Sequence, residues 1–209
     1  MAQVIQAQNI NLIDLKEKFG LKLSDERQFF TEWLEHLPEI ADLEKQYLDR
    51  VKVNYLNLVE HRPISEEMVK MVVLSPLLDL AGFYRPPFYV ETETSVEISA
   101  EDEGEIVKGK IDVLVLNQQF WLLVIESKQA GFSLITAIPQ ALAYMLSNPD
   151  LEHPIFGLVT NGSNFIFLKL IKQDTPYYDL SDEFTLLKRE NELYRILRIL
   201  KNIGQVLKQ

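Results

Sequence analysis

Apolar positions change period part-way along this chain, and the change separates a helical stretch from a strand-rich one. Between residues 24 and 60 they recur at helical spacing. Phe29, Phe30, Trp33, Leu34 and Leu37 form one run, with Ser24 as its N-cap and Asp25 and Glu26 in the first turn. Pro38 divides it from a second run of Ile40, Leu43, Tyr47, Val51 and Leu58. The segment 65–81 predicts a third helix, capped by Ser65 and stopped by Gly82.

From residue 83 the spacing is that of strands. Phe88 to Ile98 is β-branched and aromatic, with Glu91, Glu93 and Glu97 alternating through it. The stretch 101–109 reads as a polar turn region. Lys110 to Leu116 predicts a strand ending at the hairpin connection Asn117-Gln118-Gln119. Phe120 to Ile125 is continuously apolar, the mark of a central strand covered on both faces. A helix is predicted over Ser133 to Ser147, kinked at Pro139. Two strands, Ile155 to Val159 and Phe165 to Leu170, flank a tight turn at Asn161-Gly162. Residues 181–207 predict a last amphipathic helix through Leu186, Leu193, Ile196, Leu197, Leu200, Ile203 and Leu207. A hairpin followed by a β-α-β crossover gives an α/β (α+β) fold: a mixed central sheet of about five strands flanked by helices. Residues 1–61 are expected to form an N-terminal helical extension packed on a domain of residues 62–209, which ends in the C-terminal helix.

Composition excludes several classes. The 209 residues are 47% apolar and 25% charged, ordinary values for a chain with a real core. There is no cysteine, hence no disulfide and no thiolate-ligated zinc. His36, His61 and His153 lie far apart and show no metal-ligand spacing. No apolar run approaches the ~20 residues of a membrane span, and the start MAQVIQAQNINLIDLKEK lacks the basic-then-apolar order of a signal peptide. The expectation is a cytoplasmic protein with no membrane partner. Its net charge of −10 runs against nucleic-acid binding, which draws on basic side chains to neutralise phosphate.

Against that charge stands one constellation. Glu126 and Lys128 follow the most apolar strand, Trp121-Leu122-Leu123-Val124-Ile125, and alternation puts both on one face. Charges leaving a buried strand are costly unless paired or metal-bound. Antiparallel pairing with the preceding strand brings Asp112 beside Glu126. Two carboxylates and one ammonium suit metal-assisted phosphodiester hydrolysis: hard oxygen ligands for Mg²⁺, and a lysine to position water or offset developing charge. The bland alternative is a strand-end ion pair. The D/E-x-K spacing also occurs at Asp14-x-Lys16 on a helix, so position and not spacing singles out residue 126. Gln140 and Tyr144 share a helix face, where they either contact a nucleic-acid backbone or support the metal site. Their bland alternative is a core tyrosine beside an incidental glutamine, and Gln173 to Tyr177 repeats the spacing in a loop.

In order, Ser75-Pro76-Leu77-Leu78, Ala81-Gly82-Phe83, Gly109-Lys110-Ile111-Asp112, Val124-Ile125-Glu126-Ser127-Lys128, Ala137 to Tyr144 and Phe156 to Gly162 resemble the N-terminal nuclease domain of type I restriction enzyme R subunits. The resemblance covers about residues 62–170; the helices before it are not part of what can be traced. It implies a restriction-endonuclease-like core of the PD-(D/E)xK kind and Mg²⁺-dependent cleavage of DNA, with Mn²⁺ able to substitute. It assigns Asp112 and Glu126 as metal ligands, Lys128 as the catalytic lysine, and Gln140 and Tyr144 as the accessory Gln-x-x-x-Tyr motif. Both Glu66 and Glu67 fit the acid of the first helix; Glu66 is preferred because it shares a face with Val69, Val73 and Pro76. No Walker A loop occurs in these 209 residues, so they are not expected to translocate DNA themselves. Three readings follow: a stand-alone endonuclease, a module acting through a helicase-type motor or specificity subunit, or an inactive scaffold. The N-terminal aromatics leave a homodimer contact open.

Overall fold

The computed structural model describes residues 3–100, 105–118 and 120–206. Its strands are β1 (Gln3–Gln6), β2 (Lys22–Leu23), β3 (Phe88–Ala100), β4 (Glu105–Asn117), β5 (Phe120–Ser127), β6 (Ile155–Thr160), β7 (Asn164–Lys172), β8 (Pro176–Leu180) and β9 (Phe184–Thr185). Its α-helices are α1 (Leu12–Phe19), α2 (Asp42–His61), α3 (Glu66–Val69), α4 (Ser75–Ala81), α5 (Ile138–Leu146) and α6 (Leu193–Val206). The strands form one mixed sheet in the order β1-β4-β5-β6-β7-β8-β2, with β3 along β4 and β9 on β7.

The expected α/β class holds, but the sheet has nine strands among the described residues and not about five. The hairpin β4–β5 and the parallel pair β5/β6, bridged by α5, are as the pattern predicts. The additional strands β1, β2, β8 and β9 have two to five residues each, too few for alternation to register. Through β1, which runs parallel to β4, and β2, parallel to β8, residues before 62 join the sheet as well as packing on it. The region read as a polar turn is also shorter, because β4 already begins at Glu105. Residues 101–104, Gln119 and Leu207 lie outside the described residues.

Helices cover both faces of the sheet. One apolar cluster joins α2, α3, α4 and α6 to Val113, Val115, Leu123 and Ile125. The other joins α1 and α5 to Ile111, Leu114, Val124 and Val159. No helix among the described residues is long and apolar enough to cross a membrane.

Four predicted helices are altered, each for a physical reason. Residues 24–37 form turns, not a helix. Their carbonyls are taken by side chains from elsewhere: Lys169 Nζ donates to Phe29 O, Asn202 Nδ2 to Glu32 O, and Arg198 to Leu37 O and Pro38 O. Tertiary hydrogen bonds replace the i→i−4 ladder, while Phe30 and Trp33 still enter the core. Ser24 Oγ accepts from Glu26 N in a turn and caps no helix. The final helix starts at Leu193 and not at 181, because β9 and a turn precede it and Asn191 Oδ1 accepts from Leu193 N. The 65–81 helix is continuous but widens into a π turn at Lys70–Leu74, where Ser75 N donates to Lys70 O. Pro76 explains the widening: it has no N–H to offer Val72 O, and its ring would clash there. Pro139, expected as a kink, lies at the first turn of α5, where a missing N–H costs nothing.

Candidate active site

The site lies where β4, β5, α3 and α5 meet. The register Val113↔Ile125 sets Asp112 opposite Glu126. Ile111 packs in the α5-side cluster and Val113 in the opposite one, so β4 exchanges faces at Asp112. Its carboxylate thereby reaches the end of β5, where Oδ2 accepts from Ser127 N at 2.7 Å and Ser127 Oγ at 3.0 Å. Lys128 is fixed at the strand end through Lys128 N, which donates to Thr160 O at 2.8 Å.

Glu126 is 2% exposed. Its Oε1 accepts from Lys128 Nζ, and its Oε2 is buried with no hydrogen-bond donor among the described residues. Burial, reinforced by the Asp112 charge and opposed by Lys128, pushes its carboxyl up to about 8. Lys128 Nζ also donates to Gln140 Oε1 at 3.1 Å, and Gln140 Nε2 to Tyr144 OH at 2.8 Å. Glu126, Lys128, Gln140 and Tyr144 thus form one hydrogen-bonded line from β5 into α5. Tyr144 is a core side chain, 2% exposed, and it also holds the end of that line. Burial raises its phenol to about 12, so it remains a neutral donor and acceptor.

Glu66 closes the site from α3, while Glu67 points into solvent. Burial and the Asp112 charge raise the Glu66 carboxyl, and Lys70 opposes them. Lys70 was not singled out by the sequence. Its Nζ lies 3.0 Å from Glu66 Oε1, 3.0 Å from Asp112 Oδ1 and 3.7 Å from Glu93 Oε1. Burial disfavours its charge, but Asp112 and Glu66 outweigh that and hold the ammonium well above its usual range. The Glu66-to-Lys70 spacing of four was the only signal available, and it is common on helix surfaces. Ser127 was missed because alternation turns its side chain away from residues 126 and 128. The structure therefore brings Glu66, Asp112, Glu126, Lys128, Gln140 and Tyr144 together.

Gly109 makes room for this arrangement. A Cβ there would stand 2.6 Å from Tyr144 Cε1, 2.8 Å from Tyr144 OH and 2.8 Å from Ala7 Cβ. Gly109→Ala is expected to destabilise the protein by about 1–3 kcal/mol through overpacking. Thermal melts test this, and the loss should shrink when Tyr144→Ala opens the space. An unshifted melting temperature for the single variant would refute the crowding.

A buried carboxylate oxygen without a donor offers a lone pair that a hard cation could take. Among the described residues no three His, Cys, Asp or Glu side chains gather closely enough to hold a metal ion. Asp112 and Glu126 are the two carboxylates that could hold an ion, and a pair of this kind suits one that keeps several waters, as Mg²⁺ does with one or two carboxylates.

The family model described as the type I restriction enzyme R protein N terminus matches residues 22–175. The chain belongs to this family. Membership marks it as a restriction-enzyme nuclease region, and the match extends upstream of the resemblance read from residue 62, taking in β2 and α2. No curated protein matches the chain.

Proposed function

We propose that this chain is a Mg²⁺-dependent endonuclease that hydrolyses DNA phosphodiester bonds. The observation that carries the reading is the buried, donorless oxygen of Glu126 beside Lys128 and opposite Asp112. Asp112 and Glu126 would hold the ion, with Mn²⁺ able to replace it. When bound, the ion supplies charge stabilisation at the phosphate and a water of lowered pKa. Lys128 holds the attacking water or the non-bridging phosphate oxygen, and its donation to Gln140 restricts where the ammonium can go. Tyr144 fixes Gln140 from the core, so its contribution to DNA contact passes through that amide. Glu66 adds negative charge beside Asp112 and strengthens its pull on a cation.

Incubation of supercoiled plasmid with the purified chain should give nicked circles in Mg²⁺ or Mn²⁺ and none in EDTA. The reading fails if no nucleic acid is cut with either ion and no Mn²⁺ binds. The net charge of −10 favours a second reading, in which the same site acts through a partner that supplies affinity for DNA, such as a helicase-type motor or a specificity subunit. Weak, salt-fragile binding alone, restored by a captured motor protein, distinguishes it.

A further inference from the structure

Both oxygens of Asp112 are engaged. Oδ2 is committed to the backbone and hydroxyl of Ser127, which leaves Oδ1 as the oxygen that could turn to a metal. That oxygen is bonded to Lys70 Nζ at 3.0 Å. The same ammonium touches Glu66 and approaches Glu93, so one tethered cation draws on three carboxylates.

Glu93 has an unusual backbone. Its φ is 56°, left-handed for a residue with a Cβ, inside a strand. Pairing of β3 with β4 is interrupted there, between Thr92↔Val113 and Thr94↔Ile111, opposite Asp112. Such strain gathers at functional sites. Its carboxylate is 59% exposed, so it can take up an ammonium with little desolvation.

We propose that Lys70 is a built-in counter-cation that occupies Asp112 Oδ1 and yields it to a divalent ion, its ammonium withdrawing towards Glu93. The proposal rests on the reading of Asp112 as a metal ligand. A divalent ion and an ammonium cannot share one carboxylate oxygen without strong repulsion in a half-buried site. Lys70 therefore balances the carboxylates of the metal-free protein and sets the concentration at which metal enters.

The test is Mn²⁺ binding to the full chain, read from the loss of the free-ion electron paramagnetic resonance signal without substrate. Lys70→Met and Lys70→Gln are compared with wild type; the glutamine keeps a donor for Asp112, which protects folding. Lys110→Met is the control, since it removes the same charge from an exposed side chain two residues from Asp112. Both Lys70 variants should bind Mn²⁺ about tenfold tighter, and Lys110→Met no more than about threefold tighter. Equal or weaker binding by the Lys70 variants overturns the proposal, and so does an equal gain from Lys110→Met. If wild type binds Mn²⁺, loses it in Asp112→Asn, and Lys70→Met brings no gain, only the counter-cation is refuted. If neither wild type nor Lys70→Met binds, the metal reading falls with it.

Discussion

Asp112→Asn is expected to lower DNA cleavage by about a thousandfold or more while the protein remains folded. Asparagine is a cleaner test than alanine. Asp112 Oδ2 accepts from Ser127 N and Oγ, and Ser127 is fully buried. Alanine would leave that amide unsatisfied, a cost of about 1–3 kcal/mol in stability that confuses the result. The asparagine carbonyl can still accept from Ser127 N, so the variant removes the charge and keeps the anchor. Lys128→Met should give a loss of similar size for another reason: the proposed mechanism loses the ammonium that would neutralise charge at the phosphate, but keeps the two carboxylates proposed to hold the metal. Mn²⁺ binding separates the two, since it should collapse in Asp112→Asn and persist in Lys128→Met. Cleavage within tenfold of wild type in either variant, measured as plasmid nicking, would remove that residue from the proposed chemistry.

The second large effect is a pH dependence of stability that Glu126→Gln should abolish. The Glu126 carboxyl has an ordinary value of 4.5 and is pushed up to about 8 in the fold, chiefly by burial. The unfolded chain releases this proton near pH 4.5 and the native protein keeps it. The stabilisation is therefore complete below pH 4.5 and is lost as pH rises to about 8. The loss is on the order of a few kcal/mol. Glutamine is neutral throughout and should melt at higher temperature than wild type at pH 8, with the gap closing towards pH 4.5. Melts in EDTA across that range give the comparison, and parallel profiles for the two proteins would contradict the burial effect. Divalent metal should narrow the gap at pH 8, because it binds the ionised carboxylate of the native state.

Much of the site was legible before the fold. The continuous apolar run of β5 placed Glu126 and Lys128 at a buried strand end, and the short hairpin placed Asp112 opposite. Helical spacing put Gln140 beside Tyr144 and turned Glu66 inward. These inferences hold because they use only the local periods of strand and helix, over a few residues.

What escaped the sequence depended on distant partners. Phe29 to Leu37 carries a helical pattern, yet Lys169, Arg198 and Asn202 take its carbonyls from β7 and α6. Lys70 belongs to the site because its helix packs over β4 and the face exchange at Asp112 brings that carboxylate to its ammonium. Glu93 reads as one of several alternating surface acids, and only its left-handed backbone sets it apart. The four short strands became strands because the sheet had edges and ladder positions for them.

By itself, then, the sequence determined the α/β class, the central hairpin, the family pattern and the acids and lysine at the strand ends. The class, the hairpin and the strand-end charges follow from periodicity and from the cost of burying charge, both local, and the family pattern from the order of its motifs along the chain. Tertiary structure alone decided the nine-stranded sheet, the loss of the first helix, the engagement of both Asp112 oxygens and the donorless oxygen of Glu126. Hydrogen-bond partners and desolvation are properties of the packed chain, and no spacing along it encodes which donor reaches which carboxylate.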